Sequence, residues 1–258
     1  MAHSFTERPF RRRVRDGERL FGTFLKTPST HAAEILGAVG YDFVVVDEEH
    51  APLNPETTER ILLACRLAGI AGVVRVARPE DILRVLDCGA AGVLVPHVDS
   101  PERAQHVAKL ARYREGTRGF SNTTRAGAFG ARGIAEHVAA QDEHIAVIAM
   151  IEDVAALAVI DGIAAVDGID AFFIGRGDLT VAYGETSQAS APVRAALEAI
   201  TGAAATANRR VFAMTGTAED ATELAMLGAS GFIVASDQGF LRRGATDMLG
   251  LITDALGA

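Results

Sequence analysis

The segment Phe43-Val-Val-Val-Asp47-Glu48-Glu49-His50 limits what this chain can fold into more than any other. A run of valines fits a strand buried on both faces. It ends abruptly in three carboxylates and an imidazole. Apolar residues make the strand, and the groups able to move a proton or hold a cation sit past its C-terminal end. A parallel α/β barrel carries its catalytic groups at that end.

The same layout recurs along the chain. Phe21–Thr27 reads as a first strand, followed by a helix over His31–Val39 with Ser29 or Thr30 as cap. Phe43–Asp47 is the second strand. Asn54-Pro55 opens a helix over Glu56–Ala68 with Pro at its first position. Gly72–Val76 is the third strand, and a helix runs from Arg78-Pro79 to Asp87-Cys88-Gly89. Gly92–Pro96 is the fourth, with a helix from Ser100 to Tyr113. Arg114–Gly130, rich in Gly, Arg, Ser and Thr, reads as a long ordered loop, a type that is usually functional. A helix near Ile134–Ala140, a fifth strand over His144–Ile151 and a short helix over Val154–Ile160 follow. Ala171–Gly175 is the sixth strand, Pro192–Ala207 a helix and Arg210–Met214 the seventh strand. Ala218–Leu227 is helical, Gly231–Ala235 is the eighth strand, and a last helix starts at Asp237.

Eight strand–helix units with no linker predict one domain over residues 1–258, of the α/β class with a (β/α)8 TIM-barrel architecture. A doubly wound open sheet is the competitor; the count of eight and the repeated polar strand ends favour the barrel. The basic stretch Arg8–Arg19 reads as a short surface helix. The final helix, Phe240–Leu256, carries an apolar stripe at Leu241, Met248, Leu249, Leu251, Ile252 and Leu256. That stripe is wider than a surface helix needs, so the helix packs on its own barrel or against a neighbouring subunit. The net charge of −8 argues against nucleic acid or an anionic membrane as partner. No apolar run approaches the roughly 20 residues of a membrane span, and no apolar signal core follows the basic start. Cys65 and Cys88 are isolated, which fits reduced, buried thiols in a cytoplasmic protein.

Glu152 directly follows the fifth strand, and Asp178 lies just past the sixth. On adjacent barrel strands both carboxylates reach one rim, and together they suit a hard cation such as Mg2+ or Mn2+. Glu152 alone also reads as a helix N-terminal acid. His50 is either a structural imidazole or a catalytic one. Arg75 interrupts an apolar strand and must find anions. An ion pair with Asp47 or Glu49 is one solution, an anionic substrate the other. Asp87 ends a helix, where a carboxylate is mildly unfavourable. Backbone amides at the Gly175-Arg-Gly177-Asp178 helix start can hold a carboxylate.

These residues carry a resemblance. Val46–Pro52, Val74–Val76, Leu86–Gly89, Val93–Pro96, Ile151-Glu152 and Phe173–Leu179 resemble, in the right order, the HpcH/HpaI aldolase family of metal-dependent class II pyruvate aldolases. The similarity runs from Phe21 to Leu241. It implies reversible retro-aldol cleavage of a 4-hydroxy-2-oxo acid to pyruvate and an aldehyde. It implies Glu152 and Asp178 as ligands of Mg2+, Mn2+ or Co2+. It further implies Arg75 at the enolate oxygen, His50 in the proton relay with Asp87 as its partner, and Gly175, Gly177 and Asp178 around the pyruvate carboxylate. A homohexamer with the last helix exchanged is implied as well. Three positions depart from the family pattern: Glu48 for Gly, Met150 for Gln and Arg176 for Pro or Ala. The first and last add charge near the site, which bears on the substrate rather than the reaction. The Arg114–Gly130 loop, with Arg118 and Arg125, is expected to select the aldehyde; for either arginine alone, a structural ion pair across a subunit interface is the equal alternative. The alternatives are a Schiff-base aldolase using Lys26, a CoA-ester lyase of the citrate-lyase β type, and a non-catalytic oxo-acid-binding barrel.

Overall fold

Strands that are apolar on both faces need cover on both sides, and the fold meets that need by closing the sheet on itself inside a layer of helices. The computed structural model describes residues 8–257. Eight parallel strands form a closed ring in chain order. They are β1 (Leu20–Leu25), β2 (Phe43–Asp47), β3 (Ala71–Arg75), β4 (Gly92–Val95), β5 (Ala146–Ile151), β6 (Ala171–Ile174), β7 (Arg210–Thr215) and β8 (Ala229–Ser236). The helix α1 (Phe10–Arg15) precedes the ring. The helices between strands are α2 (Thr30–Val39), α3 (Pro55–Ala68), α4 (Ile82–Asp87), α5 (Pro101–Leu110), α6 (Ile134–His144), α7 (Val154–Leu157), α8 (Ile160–Ala164), α9 (Arg176–Ala182), α10 (Ala191–Thr206) and α11 (Ala218–Met226). The last helix is α12 (Asp237–Leu256). Local chemistry sets several boundaries. Asn54 accepts from the Thr57 amide and Ser100 from the Arg103 amide, each ahead of a first-turn proline. The helix read over Val154–Ile160 is two short turns, α7 and α8, and His144 closes α6 instead of opening β5.

Side chains alternate across each strand, so every strand divides its residues between two cores. Val44, Val46, Val74 and Val147 face the helices. Phe43, Val45, Val73, Leu94, Ile148, Met150, Phe173 and Phe212 fill the ring. Large rings fit inside because glycines stand opposite them. A Cβ at Gly22 would lie 2.4 Å from the Phe43 ring.

The same alternation fixes what comes next on each inner row. Residue 47 follows 43 and 45, residue 75 follows 73, and residue 152 follows 148 and 150. Lys26 likewise follows Leu20 and Phe24. The inward row of four strands therefore ends in a charged residue at the C-terminal mouth.

The N-terminal end of the ring is plugged. The helix read from sequence as a surface element buries Phe10 and Val14, with the Phe10 ring 5.4 Å from that of Phe43. Its Arg11 donates to the buried Asp170 at 2.8 Å. A basic sequence hid this because only one face of a single turn carries the apolar anchors.

The helix α12 does not pack on its own barrel. None of its residues is buried, and Leu241 and Leu256 are 72% and 77% exposed. It is joined to the barrel at its first turn. The Asp237 carboxylate accepts the Lys26 and Thr27 amides, both at 3.0 Å, and Phe240 lies against Tyr41.

Candidate active site

Asp47 and Arg75 are direct neighbours in the register of β2 with β3. Both point inward, and they meet in a bidentate pair: Arg75 Nε donates to Asp47 Oδ1 at 2.9 Å and Nη2 to Oδ2 at 2.7 Å. Asp47 Oδ1 also accepts the amides of Glu49 and His50, which fixes the turn after β2. Burial alone would raise the Asp47 carboxyl, but the Arg75 hydrogen bonds and charge outweigh it and hold the group below the usual carboxylate range. Arg75 Nη1 lies 3.3 Å from Glu49, whose carboxylate is also 3.7 Å from His50 Nε2. These contacts occupy three of the five guanidinium N–H donors. Among the described residues the remaining two have no hydrogen-bond partner.

Across the ring, Glu152 extends from β5 into the interior and is 4% exposed. Its Oε1 accepts the His97 amide at 2.8 Å. Burial pushes its carboxyl up to about 7; the His97 amide and ring oppose the shift, and the adjacent Asp178 carboxylate adds to it. Gly175, at the end of β6, is what lets the two carboxylates approach: a Cβ there would lie 2.5 Å from Glu152 Cβ. A buried carboxylate beside a second one, holding its proton near neutrality, is a site that a cation would stabilise. The sequence-expected pair Glu152 and Asp178 thus sits together at one rim. A second donor set shares Glu152. Ligand atoms of His97, Glu152 and Asp153 lie within 4.8 Å of one another. The His97 ring is 3.2 Å from Asp153 and 3.3 Å from Glu152. His97 was missed in the sequence because it follows Pro96 outside β4 and has a left-handed backbone, φ 54°. A histidine one residue past an apolar strand was the available signal.

A cavity of about 210 Å3 opens between these groups, lined by Phe24, Lys26, Arg75, Met150, Gly175 and Asp178 among others. A larger groove of about 790 Å3, lined by Lys109, Arg112 and Arg114, runs beside α5 and α8 and contains none of the strand-end groups. The groups at the strand ends, Lys26 and Arg75, lie with the smaller one.

Two expectations need correction, and the expected pairing of Asp87 with His50 is not made inside one chain. Barrel helices run back against their strands, so the C-terminal end of α4 points away from the mouth. The Asp87 carboxylate is held there by Arg118 at 3.0 Å. The carboxylate facing His50 is Glu49. The 114–130 loop does not offer free arginines. It begins after α5, at the far end of the barrel, and packs on α4. The Arg118 side chain has no exposure; it bonds Asp87 and Gln141 and lies 4.5 Å from the Tyr113 ring centre. Arg125 pairs with Glu59 at 2.8 Å. The charges added by Glu48 and Arg176 are spent elsewhere too. Glu48 binds Arg84 and Thr58, and Arg176 binds Asp220 through both Nη atoms at 2.8 Å.

Comparison with known proteins agrees with this geometry. The family model described as HpcH/HpaI aldolase/citrate lyase matches residues 20–243. The chain is 34% identical over 215 residues to the 5-keto-4-deoxy-D-glucarate aldolase of Shigella dysenteriae, covering 82% of this chain and 83% of that one. It is 32% identical over 192 residues to the hydroxypyruvate/pyruvate aldolase of Sagittula stellata, covering 73% and 75%. The crystal structure of the citrate synthase SbnG superposes with a TM-score of 0.88 at 31% identity, over 97% of this chain and 99% of that one. The chain belongs to the HpcH/HpaI aldolase/citrate lyase family. It is an enzyme of the aldolase/lyase class on a (β/α)8 barrel.

Arg118→Met should lower the unfolding free energy by about 3 kcal/mol, because it strands Asp87 and Gln141 in a largely enclosed site. Urea denaturation measures this. A substrate-selecting arginine would instead leave stability intact and reorder the aldehydes.

Proposed function

We propose that the chain catalyses reversible, divalent-metal-dependent cleavage of a 4-hydroxy-2-oxo acid to pyruvate and an aldehyde. The observation that carries this reading is the inner row of strand ends. Arg75, paired with Asp47 and Glu49 and with His50 beside Glu49, stands on one side of the mouth, and the raised carboxylate Glu152 with Asp178 on the other; Arg75 and Asp178 both line the small cavity. Oxygen donors of this kind fit Mg2+, Mn2+ or Co2+. Glu152 and Asp178 would hold the ion, with the Asp153 and His97 side chains close by. When bound, it supplies Lewis acidity to a 2-oxo acid.

The chain's own groups do the rest. The amides of the Gly175–Asp178 turn receive the substrate carboxylate. The two unspent Arg75 donors face the oxygen that gains charge in the enolate. His50, directly or through water, takes the proton of the 4-hydroxyl as the C3–C4 bond breaks. The electron pair of that bond becomes the enolate, the 4-oxygen leaves as the aldehyde carbonyl, and C3 of the enolate takes the proton back from His50 or its water to give pyruvate. Condensation runs the same steps backwards. Glu49, bridging Arg75 and His50, orients the imidazole. Asp87 would reach a His50 only on a neighbouring subunit, which agrees with a homo-oligomer, a hexamer by family resemblance. The exposed apolar stripe of α12 supports exchange of that helix. The free thiols Cys65 and Cys88 fit a cytoplasmic setting. A CoA-thioester lyase or synthase is the second reading, favoured by the likeness to the citrate synthase SbnG.

Chelator should abolish pyruvate release from 4-hydroxy-2-oxo acids, and Mg2+, Mn2+ or Co2+ should restore it. Turnover that persists in excess chelator, with borohydride trapping pyruvate on Lys26, points to the Schiff-base route. Turnover of thioesters alone points to the second reading. Arg75→Lys should slow exchange of the pyruvate methyl protons by about a hundredfold or more, since the lost donors act on the enolate. The exchange is followed by NMR in deuterated water, and near-normal exchange assigns Arg75 a structural role. Light scattering at micromolar concentration should give an oligomer; a monomer contradicts the exchanged helix.

A further inference from the structure

Three cations line the mouth cavity: Lys26, Arg75 and Arg176. Two are committed. Arg176 is turned out to Asp220, and Arg75 is clamped by Asp47 and Glu49. Lys26 differs from both. Among the described residues its ammonium has one ion-pair partner, Asp47 at 3.4 Å, and the side chain is 27% exposed. Asp47 is already engaged by two Arg75 bonds and two backbone amides, and its contact with the ammonium is the longer one. An ammonium carries three donors, so Lys26 retains capacity that the fold does not use. The chain contains only one other lysine, Lys109, and that one lines the groove beside α5.

Its position is informative. In a closed ring of eight strands in chain order, β1 stands diametrically across from β5. Lys26 follows β1, whereas Glu152 follows β5 and Asp178 follows β6. A substrate held by its 2-oxo acid end at Glu152 and Asp178 therefore extends across the mouth toward Lys26. The backbone at Lys26 is not loose. Both its amide and that of Thr27 are held by the Asp237 carboxylate at 3.0 Å. A flexible surface lysine needs no such anchor. A side chain meant to meet a ligand gains from a fixed base, because less freedom is lost on binding.

We infer that Lys26 is a specificity-determining residue that reads a carboxylate on the aldehyde half of the substrate, so that the preferred 4-hydroxy-2-oxo acid is a dianion. The inference rests on the aldolase reading and deepens it. It also gives the selecting role expected of the 114–130 loop to a different residue, because Arg118 and Arg125 are consumed in ion pairs.

The test uses the metal-loaded full chain, pyruvate, and matched aldehydes with and without a carboxylate: 4-oxobutanoate against butanal, and glyoxylate against acetaldehyde. The wild type should favour the charged member of each pair in kcat/KM. Lys26→Met should shrink that preference about ten- to a hundredfold, the size of one charge-assisted hydrogen bond. Lys26→Arg should keep most of it. Equal losses for charged and neutral aldehydes would overturn the inference and make Lys26 a positioning residue acting through Asp47. A borohydride adduct on Lys26 would overturn it as well. Should Lys26→Met fail to fold, the wild-type preference still decides, since a wild type indifferent to the carboxylate contradicts the inference. Exchange of pyruvate protons by the wild type separates the two levels. No exchange means that the aldolase reading fails, whereas exchange without carboxylate preference means that only the Lys26 assignment fails.

Discussion

The bidentate pair of Asp47 and Arg75 is the contact on which this site depends. Charge this deep is costly to place and costlier to leave unpaired. Asp47 is fully buried and Arg75 is 6% exposed, so each requires the other. The pair also organises its surroundings. Asp47 holds the amides of Glu49 and His50, Arg75 orders the Glu49 carboxylate, and Glu49 faces the imidazole. One ion pair between register neighbours thereby sets the whole β2–β3 side of the mouth.

The opposite side follows a contrasting logic. Glu152 has no cationic side chain matched to it as Arg75 is to Asp47. Its neighbours are a half-exposed histidine and further carboxylates, and its carboxyl is pushed up to about 7. A barrel that satisfies one buried carboxylate fully and leaves another wanting a positive charge has divided its mouth into a preset half and a half completed by what binds. This asymmetry is what the proposed ligand role of Glu152 is built on.

Much of this was legible in the sequence. The strands were readable because residues buried on both faces must be apolar for their whole length, and the polar groups after them mark the strand ends. Asp47, Arg75, Glu152 and Asp178 were found that way. Even the Arg75 ion pair was among the readings, although choosing between Asp47 and Glu49 needed the register. Other features depend on three-dimensional direction. Asp87 looks close to the site along the chain, but α4 carries it away from the mouth. The arginines of the 114–130 loop look free because their partners, Asp87 and Glu59, lie 31 and 66 residues away. His97 escaped because its role comes from a left-handed backbone that turns its amide onto Glu152. The burial of α1 rests on two residues, Phe10 and Val14, amid a run of arginines.

The last helix connects these observations. Beyond Phe240, which packs on its own barrel, the helix leaves Leu241, Met248, Leu249 and Leu251 exposed. Its first residue, Asp237, simultaneously holds the end of β1 beneath Lys26. Any force that repositions α12 therefore acts on the strand end that borders the cavity. The rim of the site and the exposed helix share a residue. A barrel whose helices all packed at home would have no such link, because its eighth helix would report only on its own core. Here the link runs through two backbone amides and one carboxylate, which fix the base from which Lys26 extends.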